Sequence, residues 1–159
     1  MAHLGSYQGL DPVSFESVSQ VTATPSIDLG TRRIVNGEEY VYFYNNTGSQ
    51  VTAGMALTVS GLSGYSLTRS TTAEVDMVVC FVKHAAVPAA NYAWGLVRGL
   101  VQAEFLSTMA TGTLIQVGVA GQVMTYTTAA QSFPGAILGK VLSSATATSF
   151  GLCYVRCFG

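Results

Sequence analysis

The chain has 159 residues, a formal net charge of −1, 49% hydrophobic residues and only 9% charged ones. One domain of that length buries roughly 70% of the surface its unfolded chain exposes, so a core can form without metals or disulfides. The seven Lys and Arg, scattered from Arg32 to Arg156, build no stripe to neutralise several phosphates, which argues against nucleic acid as a direct ligand.

Residues 1 to 30 carry two prolines, mixed polarity and no sustained period, and read as an extended arm. Leu4, Tyr7, Leu10 and Phe15 would be wasted on a free tail, so they are expected to lie on a neighbour's surface. From residue 31 the language is β. Glu39 to Asn45 alternates Tyr40, Tyr42 and Tyr44 with Val41 and Phe43, the period-2 signature of a strand. Further strands are expected at Met55 to Ser60, Tyr65 to Arg69, Ala73 to Lys83, Tyr92 to Val97 and Leu100 to Phe105. Leu114 to Val119, Gln122 to Tyr126, Ala136 to Leu142 and Phe150 to Phe158 complete the set. Short strands punctuated by glycine predict an all-β domain over 31–159, a compact sandwich or barrel of short antiparallel strands. Lys83, Arg98 and Glu104 interrupt the most apolar region, leaving no run of the roughly 18 residues that cross a bilayer. The opening MAHLGSYQGLDP has neither the basic start nor the apolar core of a secretion signal, so a chain used without secretion is expected.

An internal echo accompanies these strands. Residues 57–73 (LTVSGLSGYSLTRSTTA) align without gaps on residues 114–130 (LIQVGVAGQVMTYTTAA), an offset of 57 with six identities, among them Gly61 with Gly118 and Gly64 with Gly121. Glycine suits the positive φ of a tight hairpin, so two related strand, turn, strand units are expected.

A search for chemistry returns little. Two histidines, His3 and His84, and three cysteines, Cys80, Cys153 and Cys157, offer neither a nucleophilic triad nor a metal set. Cys153 and Cys157 on one strand would stand about 13 Å apart, too far for a disulfide. Small buried thiols are the better reading. GVAGQV from Gly118 lacks the Lys of a phosphate loop and reads as a hairpin turn. Glu74 and Asp76 share a strand face, where a solvated strand end is favoured over an acid and base pair. His84, beside Lys83, reads as a rim residue. No catalytic residue, cofactor or metal is expected. An enzyme would need His84, Glu74, Asp76 and Glu104 to converge in one pocket.

So little charge, against roughly 25% in ordinary globular proteins, suits a subunit touched on several sides, because obligate interfaces deplete charge. The most informative stretch is Val79 to Gly99, VCFVKHAAVPAANYAWGLVRG, a buried strand, a Pro-centred turn and an aromatic strand ending at glycine. Tyr92, Trp94 and Leu96 share one face, and with Tyr40 and Tyr42 they are expected in a core or subunit interface rather than on a sugar-stacking platform.

That order resembles small structural proteins of tailed-bacteriophage heads, with Val78, Val79, Cys80, Phe81 and Val82 in the first strand, then Pro88, Tyr92, Ala93, Trp94 and Gly99. Cys80 and Ala93 stand where that pattern usually has glycine. The resemblance, over about residues 35 to 142, is to capsid decoration (cement) proteins. It implies a β-rich homotrimer on the outer surface of the virion, assembled in the bacterial host cytoplasm, that stabilises the shell by bridging neighbouring major capsid proteins. Leu4, Tyr7, Leu10 and Phe15 would then be capsid contacts. A glycan- or receptor-binding β module of a phage fibre or spike is the alternative, and it requires Tyr92 and Trp94, or the Tyr40 to Tyr44 face, to be exposed.

Overall fold

The alternation in Glu38–Asn45 sends its side chains into two different apolar clusters: Tyr40 and Tyr42 into one, Val41 and Phe43 into the other. A strand with both faces buried needs partners on both sides, and the topology supplies them. The computed structural model describes residues 17–60, 64–70, 77–126 and 138–157. Its strands are β1 (Val21–Thr22), β2 (Arg32–Val35), β3 (Glu38–Asn45), β4 (Ala56–Val59), β5 (Ser66–Arg69) and β6 (Val78–Val82). They continue with β7 (Tyr92–Glu104), β8 (Leu114–Val117), β9 (Val123–Thr125), β10 (Gly139–Val141) and β11 (Phe150–Arg156). The chain is all β, compact and sandwich-like, with one mixed 11-stranded sheet and no α-helix among the described residues.

The 13-residue β7 organises that sheet. Leu96 is in register with both Tyr40 of β3 and Phe81 of β6, so these two strands flank β7 on opposite edges. Arg98 is in register with both Glu39 of β3 and Arg156 of β11, so β11 takes over the edge that β6 leaves. Two closed circuits of pairing result. The first runs β3, β5, β4, β6, β7 and back to β3, with a parallel β3 and β5 contact at Tyr44 and Ser66. The second runs β7, β11, β10, β8, β9 and returns through a parallel bridge from Val123 to Phe105. Val41, Phe43, Leu57, Leu67, Cys80 and Val82 lie in the cluster of the first circuit. Val101, Phe105, Ile115, Val123, Cys153 and Val155 belong to the cluster of the second.

The circuits are built alike. Thr58 faces Thr68 and Val59 faces Leu67, while 57 positions on Ile115 faces Thr125 and Gln116 faces Met124. The bridge from Val51 to Val87 has its counterpart 58 positions on, from Met109 to Ala145. Even the unusual backbone repeats at that spacing: Ala90 and Thr148 both have φ 59°, and Gly54 and Gly112 have φ 93° and 90°. The echo in residues 57–73 and 114–130 thus falls on corresponding hairpins, of which residues 61–63, 71–73 and 127–130 lie outside the described residues.

Three expectations differ from the structure. Tyr92 to Val97 and Leu100 to Phe105 are one strand, because Gly99 at φ +144° lets the backbone continue where a glycine reads as a stop. Not all strands are short and antiparallel, since β7 is long and β3 pairs β5 in parallel. Residues 17 to 30, expected within the arm, lie on the body: β1 pairs with β7, and Val18 and Ile27 pack against the core. The reason is the apolar outer face of β3 and β7, which needs to be shielded from water.

Each circuit has one glycine where an aromatic ring or thiol passes close to the backbone. A Cβ on Gly95 would sit 2.3 Å from Cys80 Sγ, and one on Gly151 would sit 2.4 Å from the Phe105 ring. Gly95→Ala and Gly151→Ala should each lower unfolding stability by about 1–3 kcal/mol, through overpacking. Urea denaturation checks this, and Cys80→Ala should restore part of the loss in the first variant only.

Candidate interaction surface

The largest aromatic group sits on the outside of the first circuit. Tyr42 meets Trp94 edge-on at 5.3 Å and stacks near Tyr92 at 6.2 Å, and Tyr44 lies 5.0 Å from Tyr92 between ring centroids. The chain's own segment 17–35 covers this face. Thr22 Oγ1 and Ser26 Oγ each lie 3.1 Å from the Tyr42 hydroxyl, and the Arg33 guanidinium stands 6.0 Å from the Trp94 ring. Tyr42 and Trp94 are at most 2% exposed beneath it, Tyr40 and Leu96 are as deeply buried within the larger apolar cluster, and Tyr92 is half-buried. A sugar-stacking platform needs rings open to solvent, and here only Tyr44 and Tyr92 keep partial access.

A polar cluster marks the middle of β7. The Glu38 carboxylate accepts hydrogen bonds from the Tyr40 hydroxyl at 2.7 Å and the Leu100 N–H at 3.0 Å, and it pairs with the Lys83 ammonium. The Tyr40 proton is committed to Glu38, so His84 Nε2, 3.0 Å from the Tyr40 oxygen, carries a hydrogen and donates it. The imidazole also stacks on the phenol ring, with centroids 5.7 Å apart. Burial pushes the Glu38 carboxyl up, but the bonds from Lys83, Tyr40 and Leu100 outweigh it and hold the group below its ordinary value. Burial first, then the Lys83 charge, lowers His84 against an opposing pull from Glu38. Tyr40 is raised beyond the range in which it could ionise near neutral pH, by burial and then by Glu38.

The outside of the second circuit is open. Its outward residues pair across β7 and β11 as Arg98 with Arg156, Leu100 with Tyr154, Gln102 with Leu152 and Glu104 with Phe150. Phe150, Leu100 and Tyr154 are 52%, 42% and 40% exposed, and β10 and β8 extend the face with Lys140 and the exposed Leu114. Arg98 Nε donates to the Tyr154 hydroxyl at 3.0 Å, and Glu104 accepts from Gln122 Nε2 at 2.8 Å. Large exposed side chains in register on adjacent strands make this the candidate surface for a contact. Sequence reasoning did not separate it from the core, because β7 and β11 carry apolar residues on their outward positions as well as their inward ones.

The other candidates sit apart. Leu4, Tyr7, Leu10, Phe15, Glu74 and Asp76 lie outside the described residues. His84 and Glu104 have separate partners, one in the Glu38 cluster and the other on Gln122. Among the described residues no group of three His, Cys, Asp or Glu is placed to hold a metal ion. No helix there is long and apolar enough to cross a membrane. The three cysteines are free thiols. Burial raises all of them, Cys153 to about 12, and Cys157 adds to the effect on Cys80. An open depression lined by Thr47, Thr68, Arg69, Ser70 and Ala120 has no convergent set of catalytic groups.

No protein-family model and no curated protein matches this sequence. Among solved structures, the chain is similar to the N base of head fiber gp8.5 of bacteriophage phi29. The TM-score is 0.54 with 14% identity, covering 74% of this chain and 94% of that one. At that identity the likeness is one of fold.

The polar cluster predicts a pH dependence. A carboxyl held low in the folded state stabilises it above the unfolded pKa, about 4.3, and loses that contribution as pH falls through the folded value. His84, also lowered, stabilises the fold above about 6.5 and loses its part below. Glu38→Gln should therefore cost about 1 kcal/mol at pH 7, the group being partly solvated, and the difference from the parent should shrink toward pH 3. Thermal unfolding followed across pH 3–8 measures both.

Proposed function

We propose that this protein is a virion structural subunit that decorates the capsid shell of a tailed bacteriophage and stabilises it by bridging neighbouring major capsid proteins. The observation that carries the reading is the likeness of fold to the head fiber base, which spans nearly all of that structure. The low charge of the chain supports it, as does the open face of the second circuit, where Leu100, Tyr154 and Phe150 stand exposed beside Arg98 and Arg156, since interface cores favour aromatic residues and Arg. In this reading the subunit works as a homotrimer on the outside of the head, and residues 1–16 reach a neighbouring subunit. No step of bond making or breaking is assigned to it. Its effect is mass action. A ligand that binds only the intact shell stabilises it by about 2.7 kcal/mol per site at ~100 times its dissociation constant. Each contact is expected to bury roughly 1,200–2,000 Å².

A second reading follows from the same neighbour: a base module that seats a fibre on the head, with a host-glycan or receptor-binding part. The half-exposed Tyr44 and Tyr92 pair is the feature that favours a ligand role.

The two readings separate in one experiment. Phage heads that lack the protein are mixed with the purified full chain and sedimented. Decoration predicts saturable binding, a fixed number of copies per head, and heads that rupture at a higher temperature once loaded. Failure to bind any such head, together with protection of tyrosine fluorescence by added oligosaccharides, would favour the binding module instead.

A further inference from the structure

The two circuits match in register, yet only one has its outer face covered. Tyr40 faces Leu96, Tyr42 faces Trp94 and Tyr44 faces Tyr92; in the second circuit Leu100 faces Tyr154, Gln102 faces Leu152 and Glu104 faces Phe150. The first members lie 60 positions apart and the second members 58, so the two sets occupy the same places in related units. In the first unit residues 17–35 lie over Tyr42 and Trp94 and His84 stacks on Tyr40, and Tyr40, Tyr42, Trp94 and Leu96 are at most 2% exposed. In the second unit the matching Leu100, Tyr154 and Phe150 are at least 40% exposed. What covers the first is an extended piece of this chain. Nothing described within the chain covers the second.

We infer that the outer face of the second unit is the docking surface for residues 1–16 of a second copy of this chain. Three features of the chain select that occupant. The segment carries Leu4, Tyr7, Leu10, Val13 and Phe15, large apolar side chains of the kind the face would shield. Its charge is complementary. It contains Asp11 and Glu16 and no Lys or Arg, whereas the face presents Arg98, Lys140 and Arg156, with Glu104 on it and Glu39 beside Arg98 at its edge. It is long, since sixteen residues span about 50 Å when extended at ~3.3 Å each. A face-to-face dimer through this surface would instead set Arg98, Lys140 and Arg156 against their own copies, which like-charge repulsion opposes. The arm of one subunit on the second unit of the next is a head-to-tail contact, which forms a closed ring when the rotation between copies closes and a filament when it does not. The inference rests on the reading of the chain as a self-associating subunit and identifies the surface through which copies join.

The test uses the full chain with the photoreactive residue p-benzoylphenylalanine in place of Tyr7. This protein is mixed with an equal amount of ¹⁵N-labelled unmodified chain, irradiated, digested and mapped by mass spectrometry. The expected result is cross-links from position 7 to labelled peptides spanning 98–104 or 150–156. Cross-links confined to the same chain, to other surfaces, or absent at the highest concentration at which the protein stays in solution would overturn it. So would cross-links that appear only after phage heads are added and run to the capsid protein, an outcome that leaves the decoration reading standing. A supporting pair of variants, Leu100→Glu and Tyr154→Glu, should reduce the cross-link yield at least tenfold with the melting temperature unchanged, and an unchanged yield would count against the surface. If either variant fails to fold, the mapping alone decides. Loss of head binding with the cross-links intact would strike the decoration reading and spare this one.

Discussion

Everything in this molecule hangs on β7 being bonded along both edges. Its first half closes one circuit against β3 and β6, and its second half opens another against β11. The handover near Gly99 is where a strand of this length would lose pairing, because β3 ends as β11 begins on the opposite edge. Glu38, near the start of β3, fills the gap. Its carboxylate accepts from the Leu100 N–H, replacing the ladder acceptor that β3 no longer supplies. The glycine at 99 makes this possible, since a Cβ there would come 2.8 Å from Glu38 Cγ. Lys83 and Tyr40 then balance the charge and hydrogen bonds of that one carboxylate, and His84 bonds the Tyr40 oxygen behind it. The polar cluster is thus a consequence of fusing two units through a shared strand.

Fusion also explains why the two units, alike in register, differ in surface. The first is preceded by a segment that can fold back over β3 and β7, and its outward positions have accumulated Tyr40, Tyr42 and Trp94 beneath that cover. The second is preceded by the first, which leaves no free segment of the same chain in the corresponding place. Its outward positions are a compromise between water and contact: Gln102 and Glu104 among Leu100, Leu152 and Tyr154. For a chain with so few charges, that open face is the natural place for association.

How much of this was legible in the sequence depends on the range of the interaction. The period-2 pattern in Glu39 to Asn45 and the hairpin echo are local, and they located β3 and the paired hairpins within a residue or two. The continuous β7 was missed because Gly99 looks like a terminator until a partner strand is known to run past it. The parallel β3 and β5 contact and the bridge that closes the second circuit are long-range pairings with no local signature. Residues 17–30 looked like free arm because a cover segment needs only scattered contacts, such as Val18, Ile27 and Thr22, and so has no period. Among the polar residues, His84, expected as a rim group, is exposed, and its ring stacks on Tyr40. Glu38 carries no local signal, since one of two adjacent carboxylates before an aromatic strand stands out only once the Leu100 N–H lies opposite it.

The central claim is that β7 makes two related units into one cooperative body, and native-state hydrogen exchange along that strand tests it most directly. The account predicts that amides from Leu96 to Ala103 exchange together, through global unfolding, with a common protection that falls by the same amount in dilute denaturant. Separate protection levels for the residues before and after Gly99, with one half opening while the other stays closed, would contradict it. The circuits would then be two domains that happen to share a strand.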